Sequence, residues 1–146
     1  MNVNAIPKGW HSITPRLFVR DPKLLVAFLK RAFRATGTFR ADRPSEIRIG
    51  DSLVMISGVR PDGITTSAWL YLYDADADKA YARALRNGAT SVEAPNDTHY
   101  GDRRAAIKDP CGNVWQIATH RENVSSSEIR RRQTGAPRRA TRGKTR

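Results

Sequence analysis

The stretch Tyr100-Gly-Asp-Arg-Arg-Ala-Ala-Ile-Lys-Asp-Pro-Cys-Gly-Asn-Val-Trp-Gln-Ile-Ala-Thr-His120 decides the fold. At its centre, Asp109-Pro-Cys-Gly-Asn113 is a turn between two strand-like runs, residues 103–108 and 114–119. Proline presets the first corner of such a turn, and glycine supplies the positive φ that a tight reversal needs. The second run alternates. Trp115 and Ile117 share one face, while Val114, Gln116 and Ala118 share the other. Position 116 is a place for chemistry on that face, yet it carries glutamine.

Working outward, the chain reads as one plan used twice. A strand over 12–19 leads to Asp21-Pro22, a capping residue followed by a proline suited to the first helical position. Leu24, Leu25, Phe28, Leu29, Ala32 and Phe33 then fall on one helical face, with Gly37 beyond the end. Strands over 38–41, 46–49 and 52–57 follow, the last two joined through Gly50-Asp51. The second pass opens with a strand over 67–73 and the acidic cluster Asp74-Ala-Asp-Ala-Asp78, which favours a helix start. Ala77, Ala80, Tyr81, Ala84 and Leu85 form its apolar stripe, and Asn87-Gly88 ends it. Strands over 91–94, 103–108 and 114–119 complete it.

The helix ends match in residues as well as pattern: Arg31-Ala-Phe-Arg-Ala-Thr-Gly37 parallels Arg83-Ala-Leu-Arg-Asn-Gly88. A repeat of this length predicts each element twice. The expected architecture is α+β, two tandem βαβββ modules at about 10–60 and 65–120 whose sheets form a curved, cupped mixed surface with helices outside. The concavity is the natural place for a ligand. Residues 1–125 make one domain and 126–146 a basic tail.

Composition sets the outer limits. The chain has 146 residues and a formal net charge of +12. Nine of the 26 Lys and Arg but only two of the 14 acidic residues lie from Arg121 onward, so more than half of that excess sits in the last 26 residues. The tail, with Arg130-Arg-Arg132 and Arg138-Arg139, lacks apolar periodicity and is expected to be disordered. It offers nucleic acid salt-sensitive contacts but no aromatic for base stacking, so a solvated tail is the favoured reading. No apolar run reaches membrane-spanning length, and no membrane partner is expected. A single cysteine, Cys111, excludes an intrachain disulfide and suits a reducing, cytoplasmic setting. It reads as an ordinary turn residue.

These motifs resemble the vicinal oxygen chelate superfamily, the glyoxalase, bleomycin-resistance and extradiol-dioxygenase group. Ile6-Pro-Lys-Gly-Trp-His-Ser-Ile-Thr-Pro15, Ile47-Arg-Ile-Gly-Asp-Ser52, Tyr100-Gly-Asp-Arg103, Asp109-Pro-Cys-Gly-Asn113 and Ile117-Ala-Thr-His120 resemble its PhnB-like branch. The likeness runs from about residue 6 to residue 125. Enzymes of the superfamily hold a metal in the cup through His and Glu side chains from both modules. The resemblance puts those ligand positions at Thr14, Met55, Trp69 and Gln116. That set does not make a divalent-metal site, because such ions want imidazole and carboxylate. A shift of one residue brings only Pro and apolar residues. No metal and no cofactor are expected.

Strand alternation gives the cup a lining of Thr14, Arg16, Phe18, Met55, Trp69, Tyr71, Tyr73 and Gln116, while the aliphatic residues sort to the helix side. The alternative is that these aromatics simply fill the core. Arg16 is suited to an acidic ligand group or to stacking on an aromatic ring. Of the three histidines only His99 is a pocket candidate, together with its loop neighbour Tyr100; His11 and His120 read as strand-end residues. Asp102 and Arg103 either line the mouth or form an ion pair that holds the loop. The expected function is binding of a small, partly aromatic molecule without metal, resembling the drug-sequestering members. Those act as homodimers with the ligand at the subunit contact, and the resemblance implies the same here. The alternative is a glyoxalase-like lyase or isomerase with an atypical acid–base pair such as His99 with Asp102.

Overall fold

The computed structural model describes residues 2–135. The first module runs β1 (Arg16–Phe18), α1 (Pro22–Phe33), β2 (Ser45–Ile49) and β3 (Ser52–Ser57). The second runs β4 (Trp69–Tyr73), α2 (Ala77–Arg86), β5 (Thr90–Asp97), β6 (Asp102–Lys108) and β7 (Val114–His120), followed by α3 (Ser126–Thr134). The chain is α+β, with a three-stranded sheet ordered β1-β3-β2 and a four-stranded sheet ordered β4-β7-β6-β5. Each contains one parallel pair, β1 with β3 and β4 with β7, and the other pairs are antiparallel. The duplication is therefore visible in strand order as well as in sequence.

Local chemistry starts the helices where the sequence places them. The Asp21 carboxylate accepts from Leu24 N at 3.0 Å, and Pro22 is the first residue of α1. The Asp76 carboxylate accepts from Lys79 N at 3.1 Å at the start of α2. Both caps satisfy donors that a helix leaves open. At its other end α1 stops on Arg34, in the left-handed region with φ 55°. Gly37, three residues on, serves a different purpose: at φ 126°, a Cβ there would lie 2.5 Å from Glu46 O. Glycine is needed because the chain passes close against β2.

Two expected elements differ. Residues 38–41 form no strand; pairing with β2 is limited to one bridge, Thr36 with Arg48. Arg40 N instead donates to Ser45 Oγ at 2.9 Å, which takes that segment out of the ladder. The first strand is shorter than 12–19, because Pro15 lacks an N–H and contributes only its carbonyl, to Met55 N at 2.9 Å. The tail also begins differently from expectation. Ser125 Oγ accepts from Glu128 N, Gly135 closes the other end at φ 68°, and α3 lies between them. A nine-residue helix is marginal alone. Arg132 bonds Glu122 at 2.6 Å and Gln133 bonds His99 at 3.1 Å, tying it to the domain. Residues 136–146 lie outside the described residues.

The core sits between the sheets. Leu25, Leu29, Ala32 and Phe33 of α1 and Ala77, Ala80 and Ala84 of α2 are buried with Ile47, Val54 and Ile56 of the first sheet and Ile107, Trp115 and Ile117 of the second. The Phe33 and Trp115 rings are 5.3 Å apart, and Arg83 Nε donates to Ala32 O at 2.7 Å. Alanines on α2 permit this close approach. The two sheets share no strand pairing, and their backs close on a common helix layer. Their other faces are open, and that of the second sheet carries exposed aromatics. Among the described residues no helix is long and apolar enough to cross a membrane.

The opening turn is held by its own aspartate. Asp109 is buried and accepts from Cys111 N at 2.8 Å, Asn113 N at 3.1 Å, Asn113 Nδ2 at 3.0 Å and Trp115 Nε1 at 2.8 Å. Asn113 Oδ1 then accepts from Ala68 N at 2.9 Å, which fastens the turn to the approach of β4. The Cys111 thiol is pushed up to about 11 by burial and by the Asp109 and Asp21 charges, so it stays protonated and unreactive.

Candidate functional site

The open face of the second sheet gathers most of the sequence candidates. Trp69, Tyr71 and Tyr73 alternate along β4 with Leu70 and Leu72, which pack toward the core. Trp69 is 65% exposed and Tyr73 61%. Across the parallel pair Tyr71 stands opposite Gln116 and Tyr73 opposite Ala118. Ala118 and Ala106 lie on this open face yet are buried, because the longer side chains lean over them. Trp69 Nε1 donates to Gln116 Oε1 at 2.9 Å, and the Tyr71 and Tyr73 rings are 5.3 Å apart. The result is a firm aromatic platform with its rings toward solvent.

Beneath it runs a polar network that ends on Asp102. This residue is 2% exposed and stands opposite His120 in the β6–β7 pairing. Its Oδ2 accepts from Tyr71 Oη at 2.8 Å and Tyr73 Oη at 3.0 Å, while Oδ1 meets His120 Nδ1 at 2.7 Å. Tyr71 Oη also contacts Tyr100 Oη at 3.0 Å, and Arg104 Nη1 donates to Tyr100 Oη at 2.7 Å. Since the Tyr71 proton points at Asp102, the Tyr100 proton points at Tyr71, and donors run in one direction to the carboxylate. Arg104 is neutralised by Glu93, its guanidinium nitrogens 3.1 and 3.2 Å from the carboxylate oxygens. Gly101, at φ 100°, lets this loop lie against Glu122, whose carbonyl oxygen would be 2.2 Å from an added Cβ.

Burial alone would raise the Asp102 carboxyl, but the hydrogen bonds from His120, Tyr71 and Tyr73 outweigh it and hold the group below its usual range. Burial, then the bonds to Tyr100 and Asp102, raise the Tyr71 phenol well above its ordinary value. The hydrogen bond to Asn123 Oδ1, then that to Asp102, raises His120. Both imidazole nitrogens face acceptors, so the charged ring suits the site.

A pH dependence follows. The raised His120 value contributes stability that is complete below about 6.5, the unfolded value, and is lost as pH rises through the higher folded one. The lowered Asp102 value contributes above about 3.9 and is lost as acid takes the group through its folded value. The urea midpoint should therefore fall as pH rises from about 6 to about 9, with a flatter profile in His120→Gln. Equal slopes in the two proteins would contradict this assignment.

The first module's candidates lie on the other open face. Arg16 and Phe18 project there from β1, with Met55 opposite Arg16 in the β1–β3 pairing. Arg16 Nε donates to Ser57 Oγ at 3.2 Å, and its guanidinium carbon is 4.8 Å from the Phe18 ring centroid. Thr14 is half-buried just before β1. Within one chain, then, Arg16, Phe18 and Met55 are on one sheet, with Thr14 just before it, and Trp69, Tyr71, Tyr73 and Gln116 are on the other, with Tyr100 in the loop before β6. His99 is apart from the Asp102 carboxylate, with its Nε2 on Gln133 and its ring edge toward Tyr100 at 5.1 Å. Arg103 holds the loop by pairing with Asp78 at 3.2 Å and Asp97 at 3.4 Å, leaving Asp102 to the tyrosines. The residues that sequence reading passed over are His120, Arg104 and Glu93. A signal for His120 existed: counting outward from the turn, where Lys108 meets Val114, pairs Asp102 with His120.

The donor set does not fit the metal that enzymes of the resembled superfamily carry. The Trp69 indole has no lone pair to offer and gives its N–H to Gln116, occupying that amide oxygen. Met55 and Thr14 are neutral weak donors on the other sheet. Among the described residues no three His, Cys, Asp or Glu side chains gather in a way that could hold a metal ion.

Comparison with known proteins agrees with this architecture. The sequence model of the Glyoxalase/Bleomycin resistance protein/Dioxygenase superfamily matches residues 11–117. Uncharacterized proteins of Mycobacterium bovis and Mycobacterium tuberculosis are each 28% identical over 88% of this chain, covering 93% and 84% of their own lengths. TioX from Micromonospora sp. ML1 superposes with a TM-score of 0.66 at 23% identity, over 75% of this chain and 98% of that one. A glyoxalase/bleomycin resistance protein/dioxygenase family enzyme from Burkholderia phytofirmans PsJN gives 0.63 at 22%, over 72% and 94%. At these identities the structures establish shared fold, and the family match covers most of the chain. This chain belongs to the glyoxalase/bleomycin resistance/dioxygenase superfamily.

Proposed function

We propose that the protein binds a small, partly aromatic molecule without a metal, as a homodimer in which two copies complete each cup. In this arrangement the first-module face of one copy, with Thr14, Arg16, Phe18 and Met55, closes over the second-module face of the other. The carrying observation is the aromatic platform: a 65% exposed Trp69 beside Tyr71 and Tyr73, whose hydroxyls are anchored on the buried Asp102. Large aromatics left in water are costly, and flat ligands or a partner face would cover them. The separation of the two sheets, which share no strand pairing within one chain, supports a second copy as the other wall. A PhnB-like placement within the superfamily and a cytoplasmic, reducing setting accord with this reading.

Sequestration needs stacking and orientation rather than proton transfer, and the site is built that way. Three donors already occupy the Asp102 carboxylate, so it is a poor base for a ligand. Titration of tryptophan fluorescence with a panel of planar aromatic acids, amines and antibiotics tests the proposal. Quenching that disappears in Trp69→Phe, where the half-buried Trp10 and the buried Trp115 still emit, is the expected result. Failure of every compound to change the emission would reject it.

A further inference from the structure

Among the described residues the arginines differ in their partners. Around the second sheet they are matched by acids: Arg104 by Glu93, Arg103 by Asp78 and Asp97, Arg132 by Glu122 and Glu128. On the first module Arg60 pairs with Asp62 at 2.5 Å, but Arg16 and Arg40 have no such partner. A groove of about 370 Å³ at the end of the β1–β3 pair is lined by three arginines, Arg16, Arg40 and Arg43, and one acid, Asp42, with Phe18 and Ser57, and reaches Pro22, where α1 begins. Among the described residues no carboxylate lies within 4.0 Å of Arg16 or Arg40. Arg43 has only Asp42, at 3.8 Å with both side chains well over half exposed, a pair worth little.

The groove is also partly pre-organised. Ser57 Oγ and the Phe18 ring fix the Arg16 guanidinium, leaving its terminal nitrogens free to donate. Arg40 is anchored at its backbone by the buried Ser45 hydroxyl. Guanidinium groups placed this way recognise carboxylate, sulfonate or phosphate oxygens through charge-assisted, often bidentate bonds.

We propose that the ligand carries an anionic group, held by Arg16 and Arg40 in this groove while its ring stacks on the Trp69–Tyr71 platform of the other copy. The inference rests on the two-copy aromatic reading above and adds the ligand's charge class to it. A neutral or cationic aromatic would leave both guanidiniums unmatched.

Two fluorescent probes of nearly equal ring system separate the claims: 1-anilinonaphthalene-8-sulfonate and its uncharged parent N-phenyl-1-naphthylamine. With the full chain at near-physiological salt, the sulfonate is expected to bind about tenfold tighter. In the double variant Arg16→Gln/Arg40→Gln, folded by circular dichroism, that ratio should fall to about one, and Arg16→Lys/Arg40→Lys should restore much of it. Equal affinities in the unmodified protein would overturn the anion site while leaving the aromatic platform standing. A sulfonate preference that survives in the double Gln variant would also overturn it, since other positive charge would then be responsible. If neither probe binds, the platform reading fails and the anion site falls with it.

Discussion

Replacing Asp109 by alanine is expected to cost about 3–5 kcal/mol of folding stability, enough to lower the melting temperature by roughly 10–20 °C. Four donors lose their acceptor at once: two backbone N–H groups, the Asn113 amide and the Trp115 indole. Asn113 and Trp115 are both almost wholly buried, so water cannot replace the missing carboxylate without entering the core. The damage also spreads. Asn113 holds Ala68 N at the entrance to β4, and Trp115 packs on Phe33 of α1. One small residue thus links turn, sheet and helix layer. Asp109→Asn keeps one oxygen but turns an N–H₂ toward a donor, and its loss should be intermediate. Thermal unfolding of the three proteins measures this; a change below about 1 kcal/mol for the alanine variant would contradict the account.

Replacing Trp69 by alanine should do the reverse, abolishing most ligand affinity while leaving stability nearly intact. Buried interface tryptophans are often worth about 2 kcal/mol or more, which corresponds to roughly thirtyfold in Kd. In the unbound chain Trp69 is 65% exposed, so its removal exposes little core. Its one polar partner, the Gln116 amide oxygen, is half-buried and can take water instead. Titration of N-phenyl-1-naphthylamine, paired with a urea melt, separates the two effects. A stability loss equal to that of Asp109→Ala, or unchanged probe affinity, would show that the aromatic face is packing and not a site.

Much of the fold could be read from local chemistry. Capping at Asp21 and Asp76, the Asp109–Asn113 turn and the alternation of β4 and β7 are short-range signals, and the structure contains each. The strand expected over 38–41 failed because alternation cannot reveal that Ser45 captures the Arg40 N–H. The helix α3 escaped notice for a different reason. Its Ser125-Ser-Ser-Glu128 start and Gly135 stop are legible, but it has no apolar stripe, and stripes dominated the reading. The site was legible as a set of faces and not as a network. Alternation placed Trp69, Tyr71, Tyr73 and Gln116 together, yet it gave no hint that two tyrosines and His120 converge on Asp102. Such convergence depends on hairpin register and on small residues, Ala106 and Ala118, over which long side chains can lean. Nor does a repeat say whether its two sheets meet within one chain or between two. That choice depends on which surfaces the helices cover.

Subunit complementation shows whether each site is built from two copies. On the proposed arrangement, a chain carrying Phe18→Ala and one carrying Trp69→Ala would each form a dimer with two damaged sites. Co-expressed with different tags and purified as the mixed dimer, they would place both substitutions in one site and neither in the other. The account predicts that this mixed dimer recovers the affinity of the unmodified protein for N-phenyl-1-naphthylamine at half its stoichiometry. A mixed dimer that binds only with the weakened affinity of its parents, or a chain that stays monomeric at binding concentrations, would contradict it.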